Sequence, residues 1–352
     1  MKRFIILGSL IALLITSCRP MGPSSVSRDR FDYTLAISES AKHQMLLNMV
    51  KIRYGDVPIF VDVSSVISQY QLEKELNYNF EWEYPPTLRT PSLGGSSRFS
   101  ERPTVTYSPM TGEKFTKSIL TPIPPSAIFF LVQSGKSVDF VFYLCVQSIN
   151  GINNRNDSPM RSSPISSDFV ELLTRMRRIQ QSGMIGMRIQ VVGANPASVL
   201  YFKRDVSPQI AEDGALVRQK LGLDPQADEF SLVYGAIPQN DKEIAILSRS
   251  VYEILVQIAA SIDVPADDLQ QNRAYKVPGI EDPLAQQMSV HIKSGKERPA
   301  DAFVSILYRG KWFWIDDTDL RSKQIFSSLM TLISLMESDR SALQPVITVP
   351  TG

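Results

Sequence analysis

The sequence predicts an α+β fold in which antiparallel sheets pack against helices, with room for two subdomains. Three observations support this class. Several segments have the apolar spacing of amphipathic helices, and others alternate apolar and polar residues as strands do. Arg309-Gly310 separates two of the strand-like segments by the two residues of a tight hairpin turn. Hairpins mixed with single helices are typical of an α+β fold.

The first predicted helix covers residues 34–54 and ends at the Gly-Asp-Val-Pro that follows. One face of it carries Leu46, Met49, Val50 and Arg53. After a short strand at Ile59–Val63, the segment 70–84 alternates strictly. Its even positions are apolar or aromatic except Lys74, and its odd positions hold only Gln, Glu and Asn. This period of two predicts one long amphipathic strand.

The rest of the chain divides at a polar segment rich in Asn, Ser and Pro. Pro85–Arg102 is predicted to be loop and Thr104–Tyr107 a returning strand. Residues 31–150 then form an N-terminal α+β region, 151–166 a linker and 167–352 a C-terminal α+β domain. Further helices are predicted near 115–120 and at 126–133, 138–149, 168–181, 207–221, 250–262 and 319–337. Further strands are predicted at 184–192, 198–204, 229–236, 243–248, 288–294, 301–308, 311–315 and 346–349.

The N-terminus has the three parts of a secretory signal. Lys2 and Arg3 precede an apolar run of about a dozen residues, which is shorter than the roughly 20 residues of a membrane-spanning helix. Ile15, Thr16, Ser17 and Cys18 follow, and this arrangement resembles the lipobox of bacterial lipoproteins, with Ile15 where Leu is usual. The resemblance implies that residues 1–17 are a signal peptide and that Cys18 is the lipidated first residue of the mature chain.

The residue after Cys18 bears on localisation. It is Arg19, whereas Asp at this place usually retains lipoproteins in the inner membrane, so the resemblance implies the outer membrane with the body facing the periplasm. Palmitate and other acyl chains at Cys18 would anchor the protein firmly. Residues 18–30 lack apolar periodicity and predict a flexible tether.

Composition narrows the possible functions. Loss of Lys2 and Arg3 from the 37 basic side chains leaves 35, against 36 acidic ones, so the mature chain lacks the basic excess that nucleic-acid binding requires. Apart from Cys18 the only cysteine is Cys145, which is predicted to be a buried apolar residue.

The sequence gives little support for catalysis. It has two histidines, His43 in a predicted helix and His291 on the polar phase of a predicted strand. It lacks the clustered His and Cys of a zinc site and any nucleophile elbow or phosphate-binding loop. We therefore predict no catalytic residue, no metal and no cofactor.

The segment from Lys311 to Asp319 is the strongest candidate for ligand binding. Trp312 and Trp314 share a strand face and are followed by Asp316, Asp317 and Asp319. The favoured interpretation packs the tryptophans under a helix, with the aspartates at the N-terminus of the next helix. The alternatives are a sugar-binding platform, a carboxylate pair for glycoside hydrolysis and a calcium site.

The sequence therefore predicts an envelope lipoprotein of non-catalytic, interaction or structural role. Its partners would be the membrane, through Cys18, and envelope proteins or the cell wall. One alternative is a carbohydrate- or peptidoglycan-directed binder or hydrolase that uses Trp312, Trp314, Asp316 and Asp317. A further alternative is an oligomeric outer-membrane pore built from the strand at 70–84.

Overall fold

A computed structural model describes residues 23–67, 70–79, 92–101, 104–155, 165–183, 185–192, 195–202, 207–277, 286 and 289–338. The fold is α+β, as predicted. Contacts divide the chain into two compact units, Ile59–Thr116 and the remainder. The signal peptide, Cys18, the end of the predicted strand at 80–84 and the predicted strand at 346–349 lie outside the described residues.

The boundary between the units is not at the predicted linker, residues 151–166. The strand Val146–Ile149 before the linker pairs with Glu243–Ser248 beyond it, so both sides belong to one sheet. Polar composition marks a loop but does not show whether the strands on its two sides pair. The smaller unit is instead inserted between Pro58 and Lys117.

The inserted unit contains four strands paired as two antiparallel pairs. They are β1 (Val61–Ile67), β2 (Tyr70–Asn79), β3 (Ser92–Glu101) and β4 (Thr104–Pro109). β1 pairs with β4 and β2 pairs with β3. The two pairs share one register, since Ile67 faces Thr104 and, three residues further along each strand, Tyr70 faces Glu101. We call the two pairs together the ribbon.

The prediction that Pro85–Arg102 is loop is wrong for β3. Its sequence Ser-Leu-Gly-Gly-Ser-Ser-Arg-Phe-Ser-Glu is rich in Gly and Ser, which disfavour strands on average, yet it pairs with β2 over its whole length. The pairing places Leu72 opposite Phe99 and Tyr78 opposite Leu93. Cross-strand partners share a face of a sheet, so the apolar positions of both strands lie on the same face of the ribbon.

A bulge keeps this alternation in phase at the other end of the ribbon. The register shifts between Val63 and Ser65, which leaves Ser64 as the extra residue of β1. Without the shift, the apolar Val63 and Val66 would fall on opposite faces, because they are an odd number of residues apart. With it, Val63 pairs with Tyr107 and Val66 with Val105.

The larger unit contains a six-stranded mixed sheet. Its strands are β5 (Val146–Ile149), β6 (Ile152–Asn153), β7 (Ile185–Val192), β8 (Asn195–Phe202), β9 (Glu229–Tyr234) and β10 (Glu243–Ser248), in the order β6-β5-β10-β9-β8-β7. Among the described strands of this sheet, β9 and β10 pair in parallel and the other neighbours are antiparallel. The predicted positions of β7 to β10 are confirmed to within a few residues.

A second sheet of three antiparallel strands carries the segment that the sequence singled out. It consists of β11 (Lys293–Gly295), β12 (Ala302–Tyr308) and β13 (Lys311–Asp316), in the order β11-β13-β12. β12 and β13 form the predicted hairpin, and Arg309 and Gly310 have φ of 49° and 75° at its turn. Positive φ at both residues is the geometry that matches the twist of paired strands.

The helices follow the predicted order with differences at their ends. They are α1 (Pro23–Arg53), α2 (Gly112–Phe115), α3 (Pro125–Gln133), α4 (Val138–Cys145), α5 (Ser167–Gln181), α6 (Pro208–Leu221), α7 (Val251–Ala259), α8 (Ala266–Gln270) and α9 (Leu320–Ser338). A π-helical turn, Thr116–Leu120, follows α2. The helix predicted at 138–149 ends at Cys145 because the next four residues join the six-stranded sheet as β5.

α1 begins at Pro23, so the tether predicted at 18–30 is wrong for residues 23–30. Proline is tolerated in a first helical turn. Residues 34–41 are exposed on all sides, whereas Leu46, Met49 and Val50 are fully buried. The exposed half has no packed face, and apolar periodicity therefore could not reveal it.

Candidate functional site

Strand β13 presents its two tryptophans on the face away from the core. Phe313 and Ile315 are fully buried, whereas Trp312 and Trp314 are only partly buried. The prediction that the tryptophans pack under a helix stays a prediction, because partial burial does not identify what covers them. Residues 312–315 are all apolar, so the sequence alone does not decide which alternate positions face the core. In the structure Phe313 faces the core. Its ring packs edge to face against that of Tyr54, which follows α1, with 5.9 Å between the ring centroids.

Trp314 lies across the neighbouring strand β11. A Cβ atom added to Gly295 would come within 3.2 Å of the Trp314 ring, closer than nearly all real contacts. Gly295 is the diagonal neighbour of Trp314, since β13 pairs Trp314 with Lys293 and Trp312 with Gly295. The missing side chain therefore leaves the space in which the indole lies against the sheet backbone.

The residues around Trp312 are more exposed to solvent than those around Trp314. Its cross-strand partner on β12 is Leu307, whose side chain is 57% exposed. The exposed Arg298 guanidinium lies over the Trp312 ring, 5.4 Å from its centroid. An exposed cation–π contact contributes only about 0.5–1 kcal/mol, so a ligand can displace Arg298 at small cost. Trp312, Trp314 and Leu307 form an apolar surface on this face, which we call the tryptophan face.

Asp316 flanks the tryptophan face and is held in its charged form. It accepts hydrogen bonds from the Thr318 hydroxyl at 2.6 Å and from Lys293 Nζ at 3.0 Å. These bonds, with a third from the Thr318 backbone N–H, lower the pKa of Asp316 well below its ordinary value. The carboxylate is therefore ionised at neutral pH.

Asp317 and Asp319 belong to the start of α9, as the sequence predicts. Asp319 accepts hydrogen bonds from the backbone N–H of Ser322 at 3.0 Å and from its hydroxyl at 2.6 Å. Burial alone would raise the pKa of Asp319, but these hydrogen bonds outweigh it and the pKa is lowered. Asp317 pairs with Lys323 Nζ at 2.7 Å.

The two histidines and Cys145, which the sequence analysis also considered, do not form a reactive group. His43 is exposed, and His291 is exposed between the buried Val290 and Ile292, with its Nε2 atom 3.1 Å from Asp263. Cys145 is 1% exposed, which confirms the prediction of a buried residue, and burial raises the pKa of its thiol to about 12. A thiol of that pKa is not a nucleophile at neutral pH.

A cavity that the sequence did not predict lies in the larger unit. Its volume is about 920 Å³, and residues from the end of α1, the end of α7 and the start of α9 line it. Arg53 forms part of its wall and is 4% exposed. The signal was present in the sequence, because an arginine on the apolar face of a predicted helix must be buried or lie at the edge of the core.

Among the described residues, no cluster of three or more His, Cys, Asp or Glu could hold a metal ion. None of the described helices combines the length and apolarity needed to cross a bilayer. Comparison of the chain with family models, with curated proteins and with solved structures gave no match.

Proposed function

We propose that this protein is a lipoprotein of the outer membrane, anchored by acyl chains on Cys18, whose periplasmic body binds a cell-wall glycan without cleaving it. The observation that carries the binding part of the proposal is the tryptophan face. Two partly buried indoles lie side by side on a strand whose opposite face carries the fully buried Phe313 and Ile315. Indoles are enriched where a binding surface must be apolar yet accessible to water.

The rigidity of the tryptophan face supports a role in binding. β13 is the central strand of its sheet, and both of its neighbours pair with it. Trp314 is also held against the backbone of β11 at Gly295. A binding surface on rigid strands needs little ordering when the ligand arrives, which leaves more of the contact energy for affinity. A sugar ring offers an apolar C–H face to an indole and hydroxyls to the nearby Lys293 and Asp316.

The state of the aspartates favours binding over hydrolysis. A glycosidase of the usual kind needs one carboxylic acid that keeps its proton near neutral pH, which requires a raised pKa. The pKa values of Asp316 and Asp319 are lowered. Asp317 is exposed and paired with Lys323. Asp316 and Asp319 are therefore not suited to be the general acid.

The proposal is tested by retention on purified sacculi and on soluble glycans. We expect the wild-type lipoprotein to sediment with sacculi and the Trp312→Ala variant to remain in the supernatant. Crosslinking in intact cells, followed by mass spectrometry, identifies protein partners in parallel. If the wild type binds neither sacculi nor soluble glycans but crosslinks to an envelope protein, the proposal that it binds a glycan is wrong and the proposal that it interacts with the envelope stands.

The anchor is tested separately at Cys18. The thiol is the acylation site that the lipobox implies, so Cys18→Ala should abolish incorporation of a fatty-acid analogue and release the protein from membranes. Equal labelling of variant and wild type would contradict the lipoprotein assignment.

A second candidate function is an oligomeric outer-membrane pore, and the ribbon of the inserted unit favours it. β2 and β3 pair over ten residues each, and about 9–11 residues suffice for a strand to cross a bilayer. Their apolar positions share one face, as a strand between lipid and water requires. An isolated two-stranded ribbon is marginally stable in water, so a partner for it is expected on physical grounds.

Cysteine labelling separates the two candidates. In a Cys145→Ala background, Tyr78→Cys should react with lipid-soluble maleimides and Asn79→Cys only with water-soluble ones if the ribbon spans a membrane. If the ribbon packs against protein on its apolar face, Tyr78→Cys should be protected from both reagents. Protection is the result we expect, since a glycan-binding body needs no pore.

A further inference from the structure

Arg298 places a positive charge on the tryptophan face. This residue belongs to the segment between β11 and β12, and its guanidinium lies 5.4 Å from the centroid of the Trp312 ring. Its side chain is exposed, so a ligand that arrives from solvent can reach the charge. In the part of the chain that the structure describes, no carboxylate forms an ion pair with Arg298, and this includes the exposed Asp301 of the same segment.

The other charges beside the two indoles already neutralise each other. Lys293 of β11 pairs with Trp314 of β13, and cross-strand partners share a face of a sheet, so Lys293 lies on the tryptophan face. Its Nζ atom lies 3.0 Å from a carboxylate oxygen of Asp316. A ligand therefore meets a neutral pair beside Trp314 and an unpaired cation beside Trp312.

A sugar ring that stacks on Trp312 must take the place of the guanidinium. A neutral sugar gives Arg298 no new partner in exchange, so the lost cation–π contact lowers the affinity for that sugar. A sugar that carries a carboxylate does give Arg298 a partner. The guanidinium stays near the ring on its own side chain and can donate two parallel hydrogen bonds to the carboxylate. Displacement of the same cation is therefore compensated for an acidic sugar and uncompensated for a neutral one.

We propose that Arg298 determines the specificity of the tryptophan face and selects glycans whose sugars carry a carboxylate. The sugar ring contacts Trp312 and Trp314, and its carboxylate accepts hydrogen bonds from the guanidinium of Arg298. The Lys293–Asp316 pair remains to bond the hydroxyls of the sugar. This inference rests on the proposed glycan binding and names the class of glycan that is bound.

The test compares two forms of one glycan, with the detergent-solubilised lipoprotein as the binding partner. The first probe is glycan strands freed of peptide, so that their carboxylates belong to the sugars, and the second is the same strands after amidation of these carboxylates. We expect the wild type to bind the untreated strands about three- to tenfold more tightly, as a charge-assisted pair at an accessible site allows. This ratio should fall as the salt concentration rises, because salt screens exposed charges.

Three variants assign the preference to Arg298. Arg298→Gln removes the charge, so its affinity for untreated strands should fall about three- to tenfold while its affinity for amidated strands does not fall. Arg298→Lys keeps the charge but lacks the fork of donors, so it should retain part of the preference. Lys296→Gln is the matched control, since Lys296 is an exposed cation of the same segment, and it should keep the full preference. The substituted side chains are exposed, so all variants should melt close to the wild type.

The outcomes separate this inference from the proposed function. If the wild type binds both forms with equal affinity, or if Arg298→Gln keeps the preference, Arg298 does not select the glycan, although glycan binding itself stands. An equal loss of preference in Lys296→Gln would show a general effect of charge and would also overturn the role of Arg298. If the wild type binds neither form, the proposed glycan binding is wrong and this inference is wrong with it.

Discussion

Two strands of this chain, β2 and β13, carry apolar or aromatic residues at alternate positions, interrupted in β2 by Lys74, and they differ in the polarity of the positions between. In β2, polar residues occupy every intervening position, so the sequence itself defines an apolar and a polar face. In β13, the intervening positions hold Phe313 and Ile315, and both of these residues are buried in the core. Trp312 and Trp314 remain partly exposed on the other face.

The difference teaches that alternation along a strand predicts which positions are buried only when the odd and the even positions differ in polarity. Where both phases are apolar, packing against neighbouring elements decides. In β13 the phenyl ring of Phe313 packs against Tyr54, while the larger indole of Trp314 lies over Gly295, which has no side chain to displace it. Large apolar side chains that stay partly exposed on a strand such as β13, which is apolar on both faces, therefore form a candidate binding surface.

Phe313→Ala is the substitution with the largest expected effect. Phe313 is fully buried, and truncation of a large aromatic residue in a packed core costs about 3–5 kcal/mol. We expect a loss of this size in the free energy of unfolding, measured by urea denaturation. A loss below about 1 kcal/mol would contradict the assignment of Phe313 to the core.

Trp312→Ala should have a smaller effect on stability. Trp312 is partly exposed, so less apolar area returns to water, and we expect a loss of about 1–2 kcal/mol. Glycan retention should be lost, measured by co-sedimentation with sacculi. A destabilisation as large as that of Phe313→Ala would show that the two faces of β13 are equivalent, contrary to the account.

Gly295→Ala tests the position of Trp314 directly. The new methyl group would lie about 3.2 Å from the indole, so the ring must shift away from β11. Because the ring is partly exposed it can move, and we expect a change in stability within about 1 kcal/mol. The expected signature is an altered tryptophan emission spectrum with weaker glycan retention. An unchanged spectrum would contradict the contact between Trp314 and Gly295.

Asp316→Asn should have the smallest effect, and its difference from the wild type should shrink in acid. Hydrogen bonds from Thr318 and Lys293 lower the pKa of Asp316 in the folded chain below its value in the unfolded chain, about 3.9. The charged form therefore contributes stability above that pH, and the contribution is lost as the pH falls below it. In urea titrations below about pH 4, the variant should lose stability less steeply than the wild type. Parallel curves would contradict this role of Asp316.

Sequence patterns predicted most of the larger unit because its elements have clear periods. α5 and the hairpin of β12 and β13 are within two residues of their predicted ends. The exposed half of α1 was missed because it has no apolar face, and β3 because its Gly and Ser residues favour loops. The pairing of β5 with β10 depends on contacts distant in sequence, which no local pattern encodes.

The candidate site could be predicted only in part. The sequence identified Trp312, Trp314 and the capping role of Asp319. Which alternate positions of β13 are exposed depends on how β13 packs against the rest of the larger unit, and the sequence does not show this. Arg53 was placed on the apolar face of its helix. That its Nε and Nη1 atoms have no hydrogen-bond partner could not be predicted, because the neighbouring Asp263 and Asp319 are more than two hundred positions away in sequence and bond to other residues.

The most direct test of the central claim is the affinity of the detergent-solubilised lipoprotein for glycan strands released from sacculi. It compares the wild type with Trp312→Ala, Trp314→Ala and, as a matched control, Tyr234→Ala, which removes an aromatic side chain that is 56% exposed on β9. The account predicts that both tryptophan variants lose at least about tenfold in affinity and that Tyr234→Ala binds as the wild type does. Equal affinity of all four proteins, or no binding by any of them, would contradict it.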